Sequence, residues 1–496
     1  MIEEVWVLRG KVNKLTIVSE KIKSYLFDND IWRFVKRPGV LTTYWESSGT
    51  LMVIDSVSNF PGKLLGTLIN RYSDIFENSL FFKGVKMAAD NLHILIAVFL
   101  AIGAAVPHIH WNNGYAIIAS ILFLMLNFLK SAISGDKGFK TRATDVMLIL
   151  FFLAITLSAI FSTFMVQSVL EFIKYHLPWI ILVILMVSNI TSGKKLFIFT
   201  TIVLIGIFAS GVYGIIQYMQ GIPVDPSQVD LSVFENPVGR VYSTMHNANS
   251  YAEVIILTLP LFVGMMLSSK SSKMKVIWIL LALPPFIALV LTQSRSGYVA
   301  LAASAMVYVF FKNKKMIIVL ILAGLICVPF LPSFLYERVM SIFILTGDST
   351  VSLRKSVFGT ALEIIRDFWF SGIGLGATPF IYFSNEYHIA LPLPHSHNIY
   401  LEIWIETGIL GIVTFLWLYI RLFKKCMLEI YKKTDIYIDN LLISAISGLA
   451  GILVFSLAEY VWFYPRVLLF YWVVTGIALS GLSILSKKKA QVMEEN

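Results

Sequence analysis

Uninterrupted apolar runs recur along this chain from about His93 to Leu485. Most are about 17–25 residues long, the length an α-helix needs to cross about 30 Å of hydrocarbon. A bilayer admits only helices and closed barrels as spanning structures. The runs lack the period-2 alternation of a barrel strand, so helices remain. The expected fold class is all-α: a polytopic integral membrane protein with about twelve transmembrane helices and a large extracytoplasmic loop containing amphipathic helices.

Composition agrees. Charged residues make up 14% of the chain and hydrophobic ones 57%, where a soluble protein carries roughly a quarter charged. The formal net charge of +10 would suggest nucleic acid in a soluble chain. Here it is accounted for by the Lys/Arg excess that orients membrane helices, so the expected surroundings are the lipid bilayer and no nucleic acid. Cys327 and Cys426 form neither a disulfide framework nor a metal spacing.

Three regions follow. Residues 1–92 are mixed, basic and aromatic, with Trp6, Trp32, Trp45 and the stretch Gly62–Arg71; they read as a cytoplasmic or interfacial segment of unassigned role and not as a cleavable signal. Residues 93–485 hold the spans, expected at about 93–110, 114–130, 144–164, 175–191, 195–218, 250–269, 275–293, 296–311, 316–332, 398–420, 438–460 and 466–485. Residues 486–496 are a basic tail. With twelve spans, the clusters Lys137/Lys140/Arg142, Lys194/Lys195, Lys270/Lys273/Lys275, Lys312/Lys314/Lys315, Arg421/Lys424/Lys425 and Lys487/Lys488/Lys489 all fall on one side. That side is expected to be the cytoplasm, with both termini inside a bacterial inner membrane.

The same sorting leaves Arg240, Arg295, Arg338, Arg354, Lys355, Arg366 and Arg466 on the outer side, against the orientation rule. Binding an anion is one reason for arginine there, because its planar fork matches phosphate. Two outer connections are also long, about 219–249 and about 333–397, and long connections tend to be functional. Within the second, Ser352–Trp369 places Val357, Ala361, Leu362, Ile365 and Phe368 at helical spacing, with Ser352 as an N-cap. An amphipathic helix on the outer leaflet is expected. Gly372, Gly374 and Gly376 follow, an arrangement suited to a tight turn beneath a substrate.

His397, Asn398, Gly408 and Gly411 then stand in the order His, Asn, nine residues, Gly, two residues, Gly. This resembles the outer-loop signature of the O-antigen ligase and polymerase family of membrane glycosyltransferases. Thr292–Gly297 resembles the family's Ser-Arg-Gly turn between two spans. Arg240 followed by His246-Asn247-Ala248-Asn249 resembles its outer arginine and Asn-Pro-Asn element, and Arg354 with the glycine stretch resembles its loop helix. Ala248 and Trp369 stand where the family usually has proline. The resemblance covers about residues 195–440.

The resemblance implies transfer or polymerisation of a glycan from an undecaprenyl-diphosphate-linked donor onto a hydroxyl of a glycan or glycolipid acceptor at the outer leaflet. A sugar hydroxyl needs a base during attack, and neutral histidine supplies one. The diphosphate leaving group needs positive charge where negative charge develops. His397 is therefore the expected catalytic base, and Arg240, Arg295 and Arg354 are expected to bind diphosphate or glycan. Asn398, His395, Asn249 and Glu402 are further candidates for substrate binding. Glu402 and Glu406, at i,i+4, fit either acceptor binding or a pair with Arg354 or Arg466 that holds the loop; Glu459 carries the same ambiguity. No metal or other cofactor is required. A transporter or flippase for an anionic lipid-linked saccharide is a rival, although it would place charges midway through several spans. A protein O-oligosaccharyltransferase is another, and the residues do not separate polymerase from ligase.

Overall fold

The computed structural model describes residues 44–45, 47–72, 79–141, 145–223, 239–342, 349–387 and 393–495. Trp6, Trp32, Arg142 and Pro392 lie outside these. Among the described residues all regular structure is helical.

Among the described residues, eight helices are long and apolar enough to cross a membrane, or nine if a bent pair is one span. This measure does not confirm the expectation of about twelve. The bent pair is α1 (Leu80–Asp90) and α2 (Leu92–Ala105), which meet at 72°. The spans that pass are α3 (Gly114–Ser134), α5 (Met165–Asn189), α6 (Gly193–Met219), α7 (Ala248–Ser268), α8 (Ser272–Leu291), α13 (Ile399–Lys432), α14 (Ile436–Phe455) and α15 (Pro465–Lys489). Two expected spans are apolar but short, α4 (Val146–Phe161) and α10 (Met316–Phe330). The expected span at about 296–311 is α9 (Arg295–Asn313), which begins on Arg295 and carries Lys312 in its last turn.

The interior is built from α7, α14 and α15, whose apolar windows are 83–89% buried, whereas α8 buries only 22% of its own. Ladders of rings fill the centre, including Trp179 stacked on Trp472 at 3.9 Å. Small residues let backbones approach. A Cβ on Gly206 would meet the Ala101 backbone, and one on Gly448 would meet the Leu257 carbonyl. Close packing of this kind is how membrane helices associate where burial from water supplies little.

Basic residues gather at one end of the bundle. Asp145, which caps α4, takes Arg421 and Lys425. Lys489 reaches Glu429, and Lys488 pairs with Asp435. Buried against these cations, the Asp145 carboxylate is held below its ordinary range even though desolvation works the other way. His397 lies at the opposite end, just before the first residue of α13.

The segment between α10 and α13 contains α11 (Ser333–Met340), α12 (Ser349–Phe368) and a short helix, Ala377–Glu386. α12 begins three residues before Ser352, which is therefore not its cap. Its apolar stripe is also covered by protein. Val357, Ala361, Ile364 and Ile365 pack against Ile373, Phe380 and Ile405, while Leu362 faces outward.

A break in α13 explains the glycines. Gly408 has φ 66° and ψ −166°, which interrupts the helix. A β-carbon there would overlap the Phe370 carbonyl, and one on Gly372 would meet the Glu406 carbonyl. The break frees carbonyls that helix would otherwise use, and the glycine stretch satisfies them: Ile373 N–H donates to the Ile405 carbonyl (2.8 Å) and Gly374 N–H to that of Glu406 (3.2 Å). Gly372, Gly374 and Gly376 all have positive φ. Their role is to fit one chain into the gap of another, where the sequence suggested a turn beneath a substrate.

Candidate active site

His397 is held in a left-handed conformation, φ 54°, that costs an L-residue about 1–2 kcal/mol. Among the described residues the other non-glycine positive φ values are at Ser243, Gln293 and Lys433. Ser243 and Gln293 belong to the two connections that supply Arg240 and Arg295. Strain of this sort persists where the surroundings over-determine it.

Those surroundings are visible. The Asn398 side chain caps α13, accepting from Tyr400 N–H (2.9 Å) and Leu401 N–H (3.1 Å), and its amide donates to the Leu457 carbonyl (3.1 Å). Ile399 N–H donates to the Ser456 carbonyl (3.1 Å). These bonds stitch the start of α13 to the turn after α14, which carries Glu459. Ser396 N–H donates to Glu402 (2.6 Å), and His397 N–H donates to Nδ1 of His395 (3.1 Å). Asn398, Glu402 and His395 therefore spend these groups on holding His397. Burial, followed by the neighbouring His397, pulls the His395 imidazole down to about 3, so it is neutral at physiological pH.

His397 Nδ1 lies 2.8 Å from Oε1 of Glu459. The other carboxylate oxygen of Glu459 takes Arg354 Nη2 (3.3 Å) and Asn249 Nδ2 (3.2 Å). Burial alone would raise this carboxyl, but the hydrogen bond from His397 and the charges of His397 and Arg354 hold it at about 2. An ionised Glu459 engages the Nδ1 side of the His397 ring and leaves Nε2 as the ring nitrogen the carboxylate does not reach.

Asn249 links this pair to the cations. Its oxygen accepts from Arg240 Nη2 (2.8 Å) and Ser294 Oγ (3.0 Å), while its NH₂ donates to Glu459. Arg240 Nε also donates to the Thr292 carbonyl (2.8 Å). Ser294 caps α9, and Arg295 is the first residue of that helix. Burial, then Arg338 and Arg295, pull the Arg240 guanidinium down to about 9. That repulsion puts Arg338 and Arg295 within electrostatic reach of Arg240.

Arg240, Asn249, Arg354 and His397 are thus brought together through Glu459, and Arg295 joins them electrostatically. Of the remaining members, Arg338 carried no assigned role in the sequence, and Glu459 was left between acceptor binding and a pair with Arg354 or Arg466, of which the structure shows the Arg354 pair. Glu459 lies 62 residues from His397, at the end of an apolar run. Arg338 is 5% exposed on α11 and stood among the unexplained outer cations. Arg466 has a different use: it donates to the carbonyls of Gly103, Val106 and Thr244, closing the end of α2. Glu402 and Glu406 pair with neither Arg354 nor Arg466 in the contacts resolved. Glu406 accepts from Gly376 N–H and the Tyr460 hydroxyl, beside a cavity that Glu171 and Glu402 also line.

His395, His397 and Glu459 offer one metal-competent donor each, within 4.8 Å of one another. A cation there would have to displace the His397–Glu459 bond and compete with Arg354 for the carboxylate. The arrangement as it stands is a histidine paired with an ionised carboxylate, linked through Asn249 to Arg240.

Residues 276–416 match the family model described as O-antigen ligase. That stretch includes Arg295, Arg338, Arg354 and His397; Arg240, Asn249 and Glu459 lie outside it. A comparison with curated proteins gives no match.

Proposed function

Because residues 276–416 match the O-antigen ligase family, we propose that the chain is a membrane glycosyltransferase of cell-surface polysaccharide biosynthesis, moving a glycan from a lipid diphosphate carrier to an acceptor hydroxyl. The donor is undecaprenyl-diphosphate-linked, the acceptor a glycan or glycolipid, and the reaction takes place at the outer leaflet of a bacterial inner membrane. The basic end of the bundle faces the cytoplasm in this reading.

His397 is the general base. With Nδ1–H given to Glu459, Nε2 accepts the proton of the acceptor hydroxyl as its oxygen attacks the anomeric carbon. The bond from that carbon to the diphosphate oxygen breaks, and its electron pair leaves on the lipid diphosphate. Arg240 and Arg295 meet that charge, supported by Arg338, and Arg354 serves both Glu459 and the substrate. The proton then passes from His397 to solvent. No step calls for a metal.

The observation that carries this reading is the continuous hydrogen-bonded path from His397 through Glu459 and Asn249 to Arg240. It ties the base to the anion grip at fixed separation, as an in-line displacement requires. The test is transfer from a lipid-diphosphate glycan in proteoliposomes by His397→Ala. Transfer should fall by on the order of 10²- to 10⁴-fold with membrane insertion intact. Undiminished transfer would remove His397 from the chemistry.

A further inference from the structure

A file of rings runs from the base across the same end of the bundle. His395, in ring contact with His397 at 4.3 Å, is followed by Phe463 at 4.5 Å, Tyr464 at 5.0 Å, His246 at 5.3 Å, His108 at 5.4 Å and Tyr242 at 5.9 Å, each measured from the ring before it. The connection at 240–249 supplies Tyr242 and His246, the turn before α15 supplies Phe463 and Tyr464, and the turn after α2 supplies His108. His395 is buried, but Phe463, Tyr464, His108 and Tyr242 are half-exposed and His246 is exposed.

The chemistry of the file is narrow. It presents aromatic faces interleaved with imidazole nitrogens and phenol hydroxyls, and no acid, lysine or arginine among its members. An acyl chain would want aliphatic walls, and a phosphate would want cations. A pyranose has what these rings offer to meet: an apolar C–H face and an edge of hydroxyls. Tyr464 is already held in place by Asn247, whose amide donates to its hydroxyl at 2.9 Å.

We propose that this file is the binding cleft for the acceptor saccharide, with the attacking sugar at His397 and the following sugars laid over Phe463, Tyr464, His246 and Tyr242. The assignment to acceptor and not donor rests on the general-base reading of His397. The ring file begins at the base, and the sugar it continues from is the one whose hydroxyl the base meets. The arginines Arg240 and Arg295 are left to the donor diphosphate.

The distal rings Tyr242 and His246 make no contact with His397, so they can be removed without touching the base. The experiment uses the full chain in proteoliposomes, with lipid-diphosphate glycan as donor. Acceptors of increasing length are released by mild acid from the producing cell's own surface polysaccharide. For Tyr242→Ala and His246→Ala, the acceptor KM should rise about tenfold for long acceptors, near the upper value of one lost aromatic contact. It should be unchanged for the shortest, with kcat and donor KM unchanged. A rise in donor KM, an equal effect at every length, or no effect (as a polypeptide acceptor would give) overturns the proposal. Saturation-transfer NMR of the same saccharides on the protein without donor reads the cleft independently of turnover. Loss of that signal in the two variants is expected even if His397→Ala should retain transfer; an unchanged signal would sink the cleft alone.

Discussion

The Nδ1 of His397 and the Oε1 of Glu459 meet at 2.8 Å across 62 residues of sequence, and the turns that carry them are joined by the Ile399 N–H on the Ser456 carbonyl and the Asn398 side-chain amide on the Leu457 carbonyl. Glu459 is ionised because His397 and Arg354 outweigh its burial. In the proposed reaction the pair would act as one unit: Nδ1 held by the carboxylate, Nε2 turned to the acceptor hydroxyl, and a negative charge beside the ring that takes the proton.

Glu459→Gln keeps the shape of the side chain and removes the charge. It also allows the amide to donate to Nδ1, which would put the His397 proton on the wrong nitrogen. Transfer should fall by on the order of 10²- to 10⁴-fold while substrate KM values hold, measured by steady-state kinetics in proteoliposomes. A loss below about threefold would mean that tautomer control is not Glu459's task.

Arg240→Lys should lose the fork that reaches Thr292 and Asn249 together. A point charge cannot span both, so kcat/KM for the donor should drop about 10- to 100-fold. Arg295→Lys should fall in the same direction. Wild-type kinetics in the latter would reduce Arg295 to an interfacial anchor.

His395 gives the chain an acid sensitivity of known sign. Its folded-state pKa, about 3, lies below the ordinary 6.5. The folded state therefore resists protonation that an unfolded chain accepts, so its contribution is complete above pH 6.5 and is lost as pH falls from there toward 3. Thermal unfolding in detergent should shift downward between pH 7 and pH 5, and the shift should shrink in His395→Asn. A parallel slope in both proteins would assign the sensitivity elsewhere.

Gly408→Ala places a β-carbon against the Phe370 carbonyl at a positive φ. The strain term alone is about 1–3 kcal/mol, and the overlap adds to it. The melting temperature should fall, or the protein should fail to accumulate, whereas Gly359→Ala, with open space around its α-carbon, should leave it unchanged or higher. A stable Gly408→Ala protein would mean that α13 can close its break.

Chelation separates the base from a metal-held alternative at the same residues. Transfer should persist in EDTA; loss on chelation with recovery on adding one divalent ion would reassign His395, His397 and Glu459 as ligands.

Much of the helical fold was legible, because apolar runs of spanning length leave few alternatives. The count was less so. α4 and α10 are apolar but short, and composition does not reveal whether a short helix crosses or is buried. The outer arginines and His397 stood out too, since arginine against the orientation rule is conspicuous and the His397–Gly411 spacing is regular; the structure joins Arg240, Arg354 and His397 in one network, and their roles are the proposal. Three things were hidden. Glu459 becomes meaningful only when the bonds of Asn398 and Ile399 bring its turn to His397. Asn398 read as a ligand because its capping role depends on where α13 starts. The glycines at 372–376 read as a turn because the gap they fill, opened by Gly408, lies more than thirty residues further along.

The lateness of Glu459 in the chain has a consequence for biosynthesis. A nascent protein threaded into the bilayer up to Lys432 already contains Arg240, Asn249, Arg295, Arg354 and His397. It has neither the carboxylate that pairs with His397 nor the backbone carbonyls of Ser456 and Leu457 that seat the start of α13. On the proposed reaction, such a half-made protein would be silent towards its lipid-linked donor. It would become competent only once α14 and the turn that carries Glu459 had followed.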